Sequence, residues 1–263
     1  MSTVVFLGGG RITSAMLAGL RLGKTSHRLV VHDRNPGKLG DLKKRYAVAV
    51  EPGLKSAVKQ ADLLIVAVRP SSVRELLRMV GKETRRLLAV SLAAGVPLRV
   101  LSEVAGPHMR WVRAMPSPVC RSGHGLTAVT FPRTLPRADR KRVHDFFASF
   151  GQVVEIPESK FDAFTVTYSC SHGFHALATL ARAGQESGLD GNTALLASAH
   201  ALADGIIAWR DGELSLEALL EEAATPGGIA EATASAMDAA GYGRAVRQGV
   251  AAGLRRAGAN AGK

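Results

Sequence analysis

The chain is 263 residues long, carries a formal net charge of +12 and contains 46% hydrophobic and 21% charged residues. This composition is typical of a globular protein with room for one large domain or two smaller ones. No apolar run reaches the ~18 residues of a membrane-spanning helix, and the first residues lead into a strand pattern rather than a secretory signal. We therefore expect no membrane partner and a cytoplasmic location.

The positive charge is concentrated in the first part of the chain. Residues 161–263 contain 7 Lys and Arg against 11 Asp and Glu residues, which leaves 27 against 11 in residues 1–160. Nucleic-acid surfaces combine clustered cations with stacking aromatic side chains, and aromatic residues make up only 5% of this chain. The charge therefore favours an anionic cofactor over a nucleic-acid partner.

A glycine-rich turn separates the first predicted strand from the first predicted helix. Val4–Leu7 is apolar, three glycines follow, and a helical pattern begins at Ile12. Gly8 and Gly10 form the G-x-G of a dinucleotide fingerprint, in which a pyrophosphate approaches the backbone at a helix N-terminus. Thr13 occupies the third glycine position, and a glycine-rich turn without a ligand is the alternative. The residues predicted to bind the dinucleotide here are Gly8, Gly10, Arg11 and Ile12.

The second predicted strand, His27–His32, ends in the sequence D-R-N-P. Asp33 lies 23 residues past Gly10, near the position where a Rossmann unit places the residue that meets the adenosine ribose. Its carboxylate can accept from the 2′-hydroxyl group of NAD, whereas the guanidinium of Arg34 suits the 2′-phosphate of NADP. The pair leaves the choice of cofactor open. An Asx-type turn with a solvated arginine is the alternative for both residues.

Strands and helices continue to alternate over the first part of the chain, which indicates a doubly wound α/β sheet of the Rossmann type. Because open parallel sheets bind ligands at the carboxyl ends of their strands, Arg69 and Pro70 are further candidates. Strands are predicted at Ala47–Val50, Leu63–Val68, Arg85–Leu92, Arg110–Met115, Leu126–Phe131 and Gln152–Ile156, and helices at Gly37–Arg45, Leu54–Lys59, from Pro97 and at Arg137–Phe150.

From Phe161 the chain becomes rich in Ala and Leu and shows no convincing strand. So many apolar faces in roughly 100 helical residues are difficult to bury in one small bundle, which predicts burial between subunits. We expect a Rossmann domain over residues 1–157 and an all-α dimerisation domain over residues 158–263. Helices are predicted at Phe174–Glu186, Thr193–Arg210 and Leu216–Glu222, with breaks at Gly188, Asn192 and Gly212 and a frayed tail over Arg255–Lys263.

Several short blocks occur in order along the chain: FLGGGRITSAM, DRNP, AVRP, SLAAGV, RAMP, GHGLTAV and ATPGG. Together they resemble blocks of the pyrroline-5-carboxylate reductase family, and the resemblance covers nearly the whole chain. It implies an NAD(P)H-dependent reductase of a cyclic imino acid, pyrroline-5-carboxylate or a close analogue, that forms a homodimer or a higher homo-oligomer. The cofactor residues that it adds are Ala67, Val68, Arg69, Pro70, Ala93, Ala94, Met115, Pro116 and Ser117.

The residues nearest to the chemistry differ from the family pattern. M-P-S-P-V at 115–119 replaces M-P-N-T-P, S-C-S-H-G-F-H at 169–175 replaces S-G-S-G-P-A-Y, and A-T-P-G-G-I-A at 224–230 replaces T-S-P-G-G-T-T. The resemblance implies that 169–173 begin a helix whose free N–H groups receive the substrate carboxylate. Plain helix capping is the alternative for both serines. The catalytic candidates are Ser169, Ser171, His172, His175, Thr225, Gly227 and Gly228.

His172 and His175 are open to several interpretations. An imidazole can donate a proton to an imine nitrogen near neutral pH, can donate a hydrogen bond in an imino-acid pocket, or can lie half-exposed on a helix. The C-x-H-x-x-H spacing from Cys170 also permits a metal site, but hydride transfer requires no metal and we predict none. Without an export signal, Cys120 and Cys170 are expected to be free thiols.

Two other functions remain open. A catalytically degenerate relative that binds the cofactor as a regulatory protein would explain the changed contact residues. A 3-hydroxyacid-type dehydrogenase shares the two-domain plan. By resemblance, however, that enzyme family has a catalytic lysine in its second domain, and residues 161–262 of this chain contain no lysine. We expect NADP as the cofactor, with NAD as the alternative, because the positive charge lies in the first part of the chain.

Overall fold

A computed structural model describes residues 2–81 and 85–262, apart from the side chain of Cys170. Eight strands form one sheet in the first part of the chain, and each lies within a few residues of a predicted strand. They are β1 (Thr3–Leu7), β2 (Arg28–His32), β3 (Ala49–Val50), β4 (Leu63–Val66), β5 (Leu87–Ser91), β6 (Met109–Pro116), β7 (Gly125–Thr130) and β8 (Gly151–Glu155).

The sheet has the strand order β3-β2-β1-β4-β5-β6-β7-β8. Neighbouring strands are parallel except β6 and β7, which run antiparallel. The chain passes from β1 to β2 on one side and later returns to pair β4 with the other side of β1. The strand order therefore reverses between β1 and β4, and doubly wound sheets leave a ligand crevice at such a point. The predicted Rossmann-type sheet is confirmed.

The helices of the described chain surround the sheet and continue after it. They are α1 (Arg11–Leu22), α2 (Pro36–Tyr46), α3 (Leu54–Gln60), α4 (Val73–Val80), α5 (Leu98–Ala105), α6 (Arg137–Ala148), α7 (Glu158–Thr167), α8 (Cys170–Glu186), α9 (Gly191–Asp211), α10 (Leu216–Ala223), α11 (Ile229–Ala239) and α12 (Tyr242–Ala261). In the part of the chain that the structure covers, no helix is long and apolar enough to cross a membrane. The cytoplasmic location stays a prediction.

The sequence analysis does not assign α4, α7, α11 and α12, and it places one break wrongly. Asn192 lies inside α9, because the Asp190 side chain accepts hydrogen bonds from the backbone N–H groups of Asn192 and Thr193 at 3.0 and 3.1 Å. Asp190 is thus the N-cap of α9. In α7 the aromatic and β-branched residues obscure the helical pattern, and contacts with the sheet stabilise the helix instead.

The central strands are buried on both faces of the sheet. Along β1, Val4 and Phe6 pack into a cluster with α1, α2 and α6, whereas Val5 and Leu7 pack into a second cluster with α3, α4 and α5. Strands covered on both faces are apolar throughout rather than alternating. This explains the continuous apolar run before the glycine turn.

The chain divides into two compact units, Met1–Tyr168 with Ala252–Lys263 and Ser169–Ala251. The first unit thus contains α7 as well as the sheet. In the second unit, α8 and α9 pack against each other, and Gly184 allows the close approach of Ala194. A functional boundary after residue 157 stays a prediction.

The last helix contradicts the predicted frayed tail. α12 continues to Ala261, and Asn260 donates a side-chain hydrogen bond to the carbonyl oxygen of Ala94 at 3.1 Å. Gly95 has a positive φ of 75°, and a Cβ atom there would collide with the backbone of Ala257. The loop after β5 and the end of α12 can therefore meet only because residue 95 is glycine. Lys263 lies outside the described residues.

Candidate functional site

A cleft of about 310 Å³ opens at the carboxyl ends of β1, β2 and β4. This is the point where the strand order reverses, the usual ligand position in a doubly wound sheet. We refer to it as the switch-point cleft. The predicted cofactor residues that line it are Gly8, Gly10, Asp33, Arg34, Ala67, Val68 and Arg69.

The glycine loop has the geometry that a dinucleotide requires. Gly8 has a φ of +111°, and a Cβ atom there would lie 2.6 Å from the carbonyl oxygen of Ala67. Above Gly10, by contrast, no heavy atom lies within 4 Å of where a Cβ atom would be. Gly10 is the N-cap of α1 and provides no side-chain cap, so the first N–H groups of α1 are left for an anionic ligand.

Thr13, at the third fingerprint position, has a structural role that the glycine pattern does not predict. Its hydroxyl group is fully buried and donates a hydrogen bond to the carbonyl oxygen of Gly8 at 2.6 Å. A buried hydroxyl with a partner stabilises the loop. At this position, where the fingerprint has glycine, the threonine side chain holds Gly8 in place.

The other predicted cofactor residues lie outside the lining of the switch-point cleft. Arg11 and Ile12 begin α1, and Pro70 follows β4. The strands β4, β5 and β6 are parallel. The loops that follow β5 and β6 therefore begin at the same edge of the sheet as the cleft. Cofactor contacts of these residues stay predictions. The candidates here are Ala93 and Ala94 in the loop after β5, Met115 and Pro116 at the end of β6, and Ser117 directly after it.

The switch-point cleft also contains residues that the sequence analysis does not identify. Lys38, in the first turn of α2, lines it together with Arg34 four residues earlier. The four-residue spacing of the two cations was the sequence feature that could have identified Lys38. Leu54 from α3 with Leu76 and Met79 from α4 adds an apolar wall, the kind of surface that takes the flat face of a ring.

The predicted start of α8 is confirmed, and Ser169 is its N-cap. The Ser169 hydroxyl oxygen accepts from the backbone N–H of Ser171 at 3.4 Å and lies 2.7 Å from the Ser171 hydroxyl oxygen. This is ordinary capping, and a role in carboxylate binding stays a prediction. The side chains of His172 and His175 are exposed. The thiol of Cys170 lies outside the described residues.

The loop before α11 contains the remaining candidates. Its turn is closed by a hydrogen bond from the N–H of Gly228 to the carbonyl oxygen of Thr225 at 2.9 Å, and Gly227 has a φ of +74°. The carboxylate of Glu231 accepts from the N–H of Gly227 at 2.5 Å. The sequence analysis misses Glu231, although a glutamate three residues after an N-cap is a known capping pattern.

Cys120 is a free, fully buried cysteine, as predicted. Burial raises the pKa of its thiol to about 11. Because the thiolate is the reactive form, this side chain is chemically inert at neutral pH.

Two family models match the chain. Residues 3–95 match the NADP oxidoreductase family described as coenzyme F420-dependent, and residues 158–259 match the pyrroline-5-carboxylate reductase dimerisation domain. Among solved structures, the pyrroline-5-carboxylate reductase of Streptococcus pyogenes aligns with a TM-score of 0.91 at 22% identity over 98% of both chains. The Plasmodium falciparum enzyme, solved with NADP bound, aligns with a TM-score of 0.88 at 20% identity over 99% of this chain and 98% of that one.

Sequence relatives belong to the same family as these structures. The pyrroline-5-carboxylate reductase of Synechocystis sp. is 26% identical over 254 residues, which is 95% of each chain. That of Mycobacterium leprae is 30% identical over 212 residues, which is 77% of this chain and 72% of the relative. Matches thus extend over both the sheet and the helices that follow it, and the chain belongs to the pyrroline-5-carboxylate reductase family.

Proposed function

We propose that the chain reduces pyrroline-5-carboxylate to proline with NADPH. Membership of the family makes it an NAD(P)H-dependent oxidoreductase that acts on a C=N bond, with NADP as cofactor. The observation that carries the proposal is that relatives with this activity match both parts of the chain. A 3-hydroxyacid-type dehydrogenase is not favoured.

The switch-point cleft fits a phosphorylated dinucleotide. The N–H groups at the start of α1 suit the pyrophosphate, and the backbone is accessible above Gly10. Arg34 and Lys38 provide positive charge, and the leucine and methionine side chains of α3 and α4 provide an apolar wall for the adenine. When bound, the reduced nicotinamide supplies the hydride.

The second unit supplies the candidates for substrate binding. Imine reduction requires an anchor for the substrate carboxylate and a proton for the imine nitrogen. We assign the anchor to the first turn of α8, at Ser169 and Ser171, and to the loop Thr225, Gly227 and Gly228. His172 or His175 is positioned near that turn and can donate the proton.

We further propose that residues 158–263 mediate a homodimer in the cytoplasm. Large apolar side chains are exposed along the helices of the second unit, and α10 and α11 contain no buried residue. Large exposed apolar patches mark interaction sites. The family model that matches residues 158–259 is one for dimerisation.

The decisive experiment follows the absorbance of NADPH or NADH in the presence of pyrroline-5-carboxylate and a panel of other cyclic imines. We expect turnover of pyrroline-5-carboxylate with NADPH. Turnover of another cyclic imine, but not of pyrroline-5-carboxylate, would identify that imine as the substrate instead. Tight NADPH binding without turnover of any imine would instead support the catalytically degenerate, regulatory function.

A further inference from the structure

The carboxylate of Asp33 is bound on both sides by the backbone of its own chain. Its Oδ2 atom accepts a hydrogen bond from the N–H of Gly9 at 2.7 Å, and its Oδ1 atom accepts one from the N–H of Asn35 at 2.9 Å. Hydrogen bonds to an ionised acceptor are stronger than neutral ones. The end of β2 is thus joined to the centre of the glycine loop without any ligand.

This contact fixes the part of the chain that faces the pyrophosphate. Gly9 lies between Gly8 and Gly10, and a Cβ atom on Gly9 would be 3.4 Å from Asp33. Loop and carboxylate are therefore in direct contact. Two of the roughly four acceptor sites of this carboxylate serve backbone donors of the glycine loop and of the turn after β2, which supports a positioning role.

The cations beside Asp33 are arranged to receive an anion. Arg34 and Lys38 both line the switch-point cleft. Neither belongs to any ion pair found within residues 2–81 and 85–262. Asn35 caps α2 by accepting from the N–H of Lys38, and the first turn of α2 contains no acidic residue. Glu75 of α4 also lines the cleft.

We propose that Asp33 is a positioning residue for the glycine loop and that Lys38 shares the 2′-phosphate of NADP with Arg34. The proposal rests on the proposed function, because it concerns the cofactor of the same reaction. It predicts that discrimination between NADPH and NADH depends on the two cations, whereas Asp33 supports the binding of both cofactors equally.

The test is the direct measurement of Kd for NADPH and NADH with the purified full chain at one ionic strength. We expect Arg34→Ala and Lys38→Ala each to raise the Kd of NADPH by about tenfold, the effect of one charged hydrogen bond, with little change for NADH. Asp33→Asn keeps the shape but loses one acceptor, and it should raise both Kd values by the same factor. Lys44→Ala, an exposed lysine on the same helix outside the cleft, is the matched control and should change neither.

Three outcomes would overturn the proposal. Asp33→Asn could weaken NADH alone, which would make Asp33 a ribose ligand, or Lys38→Ala could leave NADPH binding unchanged. Should Asp33→Asn not fold, amide hydrogen exchange of Gly9 in the wild-type apoprotein decides: slow exchange supports the contact, and exchange at the free-peptide rate refutes it. Cofactor binding can be measured without substrate. If the variants change the Kd values as expected but the chain does not turn over pyrroline-5-carboxylate, only the proposed function is refuted.

Discussion

Glu231 places a negative charge of this chain at the loop that the family resemblance assigns to the substrate carboxylate. Its Oε2 atom lies 2.5 Å from the backbone nitrogen of Gly227. Ile229 and Ala230 replace the two threonines of the family pattern, and neither side chain can donate a hydrogen bond. The loop therefore offers fewer donors than the family pattern, and one of them is already used.

Replacing Glu231 by Gln should lower the KM for pyrroline-5-carboxylate. The amide oxygen can still accept from Gly227, but the charge that repels the substrate carboxylate is removed. Steady-state kinetics at fixed saturating NADPH measure the effect. As a control, Glu217→Gln changes an exposed glutamate in the first turn of α10. An unchanged or higher KM in the Glu231 variant would show that Glu231 is only a helix cap.

The double substitution Ile229→Thr/Ala230→Thr should raise kcat/KM for pyrroline-5-carboxylate by about 10- to 100-fold, because one hydrogen bond to a charged group is worth roughly 1.5 to 3 kcal/mol. Ile229 is 89% exposed, so the substitution removes no buried packing. Efficient wild-type turnover that the threonines leave unimproved would mean that another group anchors the carboxylate.

Cys120 should make the folded state less stable at high pH. Its pKa is raised to about 11 by burial, whereas the pKa of an unfolded thiol is about 8.5. Between these values the unfolded chain loses a proton that the folded chain keeps, so the free energy of unfolding falls as the pH rises.

In a Cys170→Ser background, iodoacetamide at about pH 8.5, where half of an exposed thiol is ionised, should label Cys120 slowly in the folded protein and rapidly in urea. Equal labelling rates in the two states would contradict the burial of Cys120.

At the scale of elements, a buried arginine on β6 holds α7 against the sheet. Arg113 donates to Asp162 at 2.5 Å and to Glu158 at 3.5 Å, and its guanidinium lies 4.5 Å from the centroid of the Phe161 ring. Glu158 also accepts from the backbone N–H of Leu98 at 2.7 Å. One cluster thus connects α5, β6 and α7.

Replacing Arg113 by Met should reduce the free energy of unfolding by about 2 kcal/mol, less than the 3 to 5 kcal/mol of a fully buried pair. The reason is that the arginine side chain is 2% exposed, whereas those of Glu158 and Asp162 are 38% and 33% exposed and stay partly hydrated. Urea unfolding provides the measurement. Arg99→Met, which breaks an exposed pair with Glu103, is the control, and equal losses in the two variants would contradict the role of burial.

In the whole molecule, the helices of the second unit expose several large apolar side chains. Ile207, Trp209 and Leu220 are each at least half exposed. Large exposed apolar patches are typical of interaction sites. The family model for dimerisation covers residues 158–259, which contain these side chains.

Sedimentation at micromolar concentration should therefore show at least a dimer of the 27.6 kDa chain. Ile207→Glu/Leu220→Glu should shift the protein toward monomers, because two charges would be buried in the interface. Leu22→Glu, an exposed leucine of the first unit, is the matched control and should leave the assembly unchanged. A folded wild-type monomer under these conditions would refute the proposed interface.

The residue pattern alone predicts the sheet and the position of the glycine loop. Both features depend on neighbours in the chain: apolar runs such as Val4–Leu7 form buried strands, and Gly8 and Gly10 mark a turn. The start of α8 at Ser169 was implied by the family resemblance, since the pattern alone begins that helix at Phe174. Local periodicity and capping chemistry are visible without a fold. The resemblance to a family extended this information to function.

Which of the candidate residues come into contact depends on the tertiary structure. Asp33 binds Gly9, Lys38 lies in the cleft, and Arg113 stabilises α7, whose own sequence does not indicate a helix. The end of the last helix is held to the loop after β5 by the hydrogen bond from Asn260 to Ala94. Each of these contacts joins segments that are distant in sequence, and their partners follow from packing and hydrogen-bond satisfaction in the folded chain rather than from residue type or spacing.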